Sequence, residues 1–198
     1  MKKIGVGWQY TTYDLKNGRV LKKFHSLPRA YWVITKDVLT SKWHRLSAVP
    51  GFVMNMKLKA LESFRALKKC NVPIELIGHP RFINSLDYEQ DKATVLGEIF
   101  GSASIRGQKE LVDDFVEFNL HLLGYGVIDK SFNITKNFGR NDNQIILIDI
   151  GELPDDTEII ARQIQNRPWT KEYVTSGLKE SEVREYFIAE MDKAFLSK

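Results

Sequence analysis

The chain has 198 residues, 43% hydrophobic and 27% charged, with 29 basic residues against 25 acidic ones for a formal charge of +4. That is ordinary globular composition, which excludes disorder as the main state and a core too small to stand alone. The balance permits an anionic ligand without demanding one. No run approaches the ~20 apolar residues of a membrane span. The first residues lack the apolar stretch of a signal peptide. The single cysteine, Cys70, has no internal disulfide partner, and together these features lead to an expectation of a cytoplasmic protein.

The chain opens with strand-like material. Residues 4–14 are rich in β-branched and aromatic types. Asn17-Gly18 then predicts a hairpin, with Arg19–Phe24 as the return strand. Pro28 suits a first helical turn, and Tyr31, Ile34, Val38 and Leu39 follow at helical spacing. The Ser47–Gly51 segment breaks that pattern, and a second, lysine-rich helix is predicted over Val53–Lys69. Ile74–Gly78 and Phe82–Tyr88 read as strands, and Gly101–Gly107 as a loop. The clearest helix is Gln108–Leu123, closed by Gly124-Tyr125-Gly126. An irregular stretch leads to Ile145–Ile148, a buried strand, with a hairpin expected near residues 133–150. Helices are predicted from Thr157 to Gln165 and from Glu180 to Phe195.

This order predicts an α+β chain with two lobes, 1–92 strand-rich and 93–198 mainly helical, the boundary falling near Asp91–Leu96.

Three signals carry chemistry. Asp149 ends the apolar run, where a carboxylate on a rigid mount suits a divalent cation; an Asx-turn after a strand is the plainer reading. Asn137 lies twelve residues earlier, across a polar turn, Arg140-Asn141-Asp142-Asn143. It would bring an amide oxygen near that carboxylate, or merely supply a turn. Gly5-Val6-Gly7 opens the first strand pair and Val20-Leu21-Lys22 closes it. Glycine amides and a neighbouring ammonium both suit phosphate oxygens.

Together these motifs resemble the protein-kinase-like fold, closest to small bacterial members related to sugar and aminoglycoside kinases. The resemblance runs from about Gly5 to Glu152. It implies a small antiparallel sheet lobe and a mainly helical lobe with a shortened C-terminal part. It implies ATP and Mg²⁺ as ligands, with Gly5 and Gly7 near the phosphates and Lys22 contacting them. Glu62 becomes the helix acid paired with that lysine, and Glu89 and Gln90 the hinge that meets the adenine. Asn137 and Asp149 become the metal ligands. The family pattern puts a catalytic aspartate five residues before the asparagine, where this chain has Phe132; Asp129 is the nearest carboxylate. The third loop glycine is also missing, and 46 residues follow Glu152. The resemblance therefore implies either a divergent ATP-dependent phosphotransferase with Asp129 as base, or a catalytically inactive pseudokinase-type module that engages a protein partner.

The histidines, His25, His44, His79 and His121, show no metal-ligand spacing. The basic residues Lys57, Lys59, Arg65, Lys68 and Lys69, with Trp43, His44 and Arg45 upstream, read as a solvated face rather than a nucleic-acid surface.

Overall fold

A computed structural model describes residues 1–41, 43–142 and 144–197. The chain is α+β, with eight strands and seven α-helices among the described residues. It divides into two compact units, residues 1–62 with 79–92, and residues 63–78 with 93–198.

The first unit is built on a five-stranded antiparallel sheet in the order β1-β2-β3-β5-β4. Its strands are β1 (Lys2–Val6), β2 (Tyr10–Asp14), β3 (Arg19–Phe24), β4 (Arg81–Phe82) and β5 (Tyr88–Asp91). The single strand run expected over residues 4–14 is thus two strands. Gly7–Tyr10 forms the turn between them, closed by the Gly7 N–H donating to the Tyr10 carbonyl at 2.8 Å. His25 pins that turn, its Nε2 donating to the Gly7 carbonyl at 3.0 Å. The Asn17-Gly18 hairpin forms as expected. Lys16 and Gly18 take positive φ, and the Asn17 side chain accepts from the Arg19 N–H. The Phe82–Tyr88 run is a turn between two strands, because Asn84 Oδ1 accepts from the Leu86 and Asp87 N–H groups.

Helix α1 (Leu27–Ser41) turns Ala30, Ile34 and Val38 inward, at strict i, i+4, i+8 spacing, and leaves Tyr31 and Leu39 exposed. Helix α2 (Val49–Lys69) starts four residues earlier than expected. Pro50 falls in its first turn, where a missing N–H costs nothing. Val49, Val53 and Met56 meet the α1 stripe, with Phe24 and Phe52 packed alongside. Tyr10 stands edge-on to both Phe24 and Tyr88, 5.4 Å between ring centres in each case. The side chains of Trp43 and His44, from the basic stretch, lie outside the described residues.

In the second unit, Ile74–Ile77 is a 3-10 turn rather than a strand, ended by Gly78 at φ 63°. Pro73 and Gly78 bound a run of only four residues, Ile-Glu-Leu-Ile, too short for periodicity to separate the two forms. The Gly101–Gly107 loop shrinks to Ala103 and Ser104, because α3 (Leu96–Ser102) precedes it and α4 (Ile105–Gly124) begins directly after the Ser104 cap. Strands β6 (Thr94–Val95), β7 (Phe138–Asn141) and β8 (Gln144–Leu147) form a three-stranded antiparallel sheet, with the expected hairpin between β7 and β8. Asn143, at its turn, lies outside the described residues. Phe138 inserts between Phe115 and Phe118 of α4, at 4.7 and 5.8 Å between ring centres. Helices α5 (Thr157–Gln165), α6 (Glu172–Thr175) and α7 (Ser181–Leu196) complete the unit. Asp156 caps α5 by accepting the Glu158 and Ile159 N–H groups. Phe187 of α7 meets Phe115 at 5.9 Å. Among the described residues, no helix is long and apolar enough to cross a membrane.

Two glycines clamp the segment that matters most below. A Cβ at Gly97 would sit 2.5 Å from the Thr135 carbonyl oxygen, and one at Gly177 would sit 2.4 Å from the Thr135 hydroxyl. Gly101, one turn beyond Gly97 in the same helix, faces open space. Gly97→Ala is expected to destabilise the protein by about 1–3 kcal/mol through overpacking against backbone. Gly101→Ala should be neutral or stabilising by up to about 1 kcal/mol. Urea unfolding of the two variants measures the contrast, and equal effects would show that Thr135 is free to move.

Candidate functional site

The segment from Asp129 to Asn137 runs between α4 and β7. Asp129 is only 3% exposed. A carboxylate taken out of water must be hydrogen-bonded, and this one is. Asn137 Nδ2 donates to its Oδ1 at 3.0 Å, and the Ser131 hydroxyl donates to its Oδ2 at 2.9 Å. The Asn133 N–H adds a longer bond to Oδ2 at 3.2 Å. Burial outweighs these bonds and, with the charge of Asp149 adding to it, raises the Asp129 carboxyl from 3.8 to about 6.

Local geometry is set by residues whose roles are invisible in a motif search. Phe132, standing where the family pattern has its aspartate, takes φ 50°. Its ring is fully buried, edge-on to Trp169 at 5.4 Å and to Phe195 at 5.3 Å. That anchor offsets an uncommon backbone conformation for an aromatic residue. It also turns the chain so that Ser131 and Asn133 face Asp129. The Thr135 hydroxyl donates to Asn133 Oδ1 at 3.2 Å, and Asn133 Nδ2 donates to the Tyr173 carbonyl at 3.2 Å. Burial and the Asp129 charge together raise the Tyr173 phenol.

Asn137 joins this loop to Asp149. Its backbone carbonyl accepts the N–H groups of Ile148 and Asp149, at 2.8 and 3.2 Å. The hairpin therefore closes on itself and brings the two residues side by side. Both side-chain hydrogen bonds of Asn137 use its amide nitrogen, the second going to Ser131 Oγ at 3.0 Å. The amide oxygen takes part in neither, so it is the Asn137 atom that could meet a cation. Asp149 is exposed. Its Oδ1 accepts the Gly151 N–H at 3.3 Å, the Asx-turn of the plainer reading. Ser63 holds the following residues, donating to the Ile150 carbonyl at 2.6 Å and accepting from the Leu153 N–H at 3.0 Å. Ser63 and Thr135 carry no sequence signal that would have singled them out; only the fold gives them a role.

An amide oxygen and a carboxylate fit Mg²⁺, which accepts one or two protein oxygens and completes its shell with water and phosphate. Among the described residues no cluster of three His, Cys, Asp or Glu suits a metal ion.

The remaining candidates lie in the first unit. Lys22 is paired with Thr12 on one side and Tyr88 on the other, and Thr12 is paired in turn with Gly5. Gly5, Thr12 and Lys22 thus share one row and one face of the sheet. The Gly7 amide is engaged by the Tyr10 carbonyl within its own turn. Glu89 and Gln90 are not in a connecting loop. They lie in β5, paired with Leu21 and Val20, and Gln90 is fully buried. Glu62 is exposed on α2. A scan against protein-family models finds no matching family, and a search of the curated proteins finds no match.

The raised carboxyl has a measurable consequence. The folded chain keeps the Asp129 proton up to about pH 6, whereas the unfolded chain loses it near pH 4. The folded state binds more protons between those limits, so stability falls as pH rises through them. Relative to Asp129→Asn, the wild type should lose about 2 kcal/mol between pH 4 and pH 7. Urea unfolding of both proteins across that range tests it. A pH-independent gap would mean that the carboxyl titrates as it does in the unfolded chain.

Proposed function

We propose that this chain is a kinase-like, nucleotide-binding protein of divergent sequence that acts as an ATP-dependent phosphotransferase. The observation that carries the reading is the hydrogen bond between Asn137 and Asp129, made by an asparagine whose backbone also holds Asp149. A base candidate and two metal-ligand candidates are thereby linked through one residue. The two-unit α+β organisation is compatible with the two-lobed architecture that the motif order implies.

In this reading Mg²⁺-bound ATP supplies the phosphoryl group and neutralises its developing charge. Asn137 and Asp149 would present oxygens to the cation. Asp129 is ionised at neutral pH, yet basic enough to accept a hydroxyl proton. Ser131 and Asn137 fix its orientation. Such a base contributes about 10²–10⁴-fold to rate.

One observation favours the second reading, an inactive module that engages a protein partner. Asp129 is almost wholly buried, and a base must reach the proton it removes.

A thermal titration with ATP, with and without Mg²⁺, tests the proposal. ATP at 100 times its dissociation constant should add about 2.7 kcal/mol. The midpoint should move by about 5–11 °C, only with Mg²⁺, and Asp149→Ala should abolish the movement. Asp129→Asn should keep the shift and slow phosphate transfer by at least about 100-fold. A flat titration at millimolar ATP overturns the nucleotide reading. A Mg²⁺-dependent shift without any transfer assigns the chain to the inactive class.

A further inference from the structure

The outer face of the first unit's sheet carries a cleft that the nucleotide reading does not use. Successive residues of a strand point to opposite faces. Lys22 and Lys23 of β3 therefore look in opposite directions. Lys23 is paired with Thr11, and Lys3 with Tyr13, so these four residues share the face away from Lys22. Together with Arg29 from the first turn of α1 they line a cleft of about 700 Å³, within the range of small-molecule sites.

The cleft is electrostatically unbalanced. Its walls hold three cations, Lys3, Lys23 and Arg29, and one carboxylate, Asp87. Both oxygens of Asp87 are already engaged, accepting the Phe24 N–H at 2.8 Å and the Asn84 amide at 3.0 Å. Among the described residues neither Lys3 nor Lys23 forms an ion pair. This contrasts with the adjoining part of the same sheet, where Arg19 is paired with Asp91 at 2.6 Å and Lys92 with Asp14 at 2.7 Å. The Arg29 guanidinium lies 4.8 Å from the centre of the Trp32 ring, which restricts it without neutralising it. Tyr13 and Leu86 add an aromatic and apolar wall. Uncompensated cations around a concave surface with an apolar wall suit a ligand that is anionic at one end and carbon-rich at the other.

We propose that this cleft binds a phosphorylated small molecule, its phosphate held by Lys3, Lys23 and Arg29 and its carbon framework lying against Tyr13 and Leu86. The site is separate from the Asn137–Asp149 pair, and the two readings fail independently.

Calorimetric titrations with inorganic pyrophosphate and with a sugar monophosphate test it, in EDTA so that no cation-dependent site responds. Low salt keeps the charges unscreened. The wild type should bind both probes with roughly millimolar affinity or better. The Lys3→Ala/Lys23→Ala double variant should bind about 2- to 25-fold more weakly, since each exposed pairing is worth about 1.5- to 5-fold. Lys2→Ala removes the same charge one residue away, on the opposite face, and should leave binding intact. No binding to the wild type at ~10 mM would overturn the proposal. So would equal affinity in the double variant, or a loss in Lys2→Ala as large as in the double variant. Circular dichroism melting confirms that these exposed substitutions leave the fold in place.

Discussion

The second unit is organised around the cost of burying one carboxylate. Asp129 is removed from water, and an isolated charge there would be prohibitive. Asn137, Ser131 and the Asn133 N–H supply donors to both of its oxygens. Those donors converge only because the chain bends at Phe132 with positive φ, and that bend persists because the ring is locked between Trp169 and Phe195. Trp169 is fixed in turn by its indole N–H donating to Asp192 of α7 at 2.9 Å. A hydrogen-bonded acid thus depends on an aromatic cluster that never touches it. Where partners do not fully offset desolvation, the carboxyl is left proton-retaining to about pH 6. Replacing such an acid with a packed apolar residue is often neutral or stabilising, so stability alone gives little reason to keep it. Perturbed acids of this kind concentrate at functional sites.

Asp149 occupies the opposite environment. It is exposed, just past a strand in which Ile145, Ile146 and Leu147 are buried on both faces. Two carboxylates coupled through one asparagine, one dry and one wet, are suited to different tasks. The dry one can exchange a proton near neutral pH. The wet one can reach a hydrated cation. Asn137 serves both through different atoms: its amide nitrogen bonds Asp129, and its backbone carbonyl holds Asp149. An apolar side chain at 137 would keep the second link and lose the first.

What was readable in the sequence follows from locality. The bounds of β3 and α5 matched because Asn17-Gly18 and Asp156 act within four residues of the structure they specify. Asn137 and Asp149 were legible as a pair because a hairpin of fixed length joins them. Ser63 and Thr135 were not. Ser63 acts 87 residues away on Ile150, and Thr135 is gripped by glycines from α3 and from the turn before α7. Ile74–Ile77 has the composition of a strand, and only its flanking Pro73 and Gly78 hint otherwise. The helix α1 stripe holds at Ile34 and Val38, but Tyr31 and Leu39 face outward and Ala30 packs where Tyr31 was expected. Small buried residues carry little hydrophobic signal, while aromatics carry a large one wherever they sit.

The same limitation applies to charge. A net +4 over the whole chain looks close to neutral, yet cations and anions are not evenly mixed on the first unit's sheet. Near Arg19 and Lys92, acids sit at ion-pair distance from the bases. Along Lys3 and Lys23 they do not, and the one carboxylate in reach is already tied to backbone and amide donors. A strand's alternation makes this partition inevitable once the register is set. Consecutive lysines at 22 and 23 cannot serve the same ligand, because they leave the sheet on opposite sides. Lys23 is exposed, so water alone tolerates its charge. With no acid paired to it on that face among the described residues, the charge is left available to an anion in the cleft, whatever Lys22 does on the other.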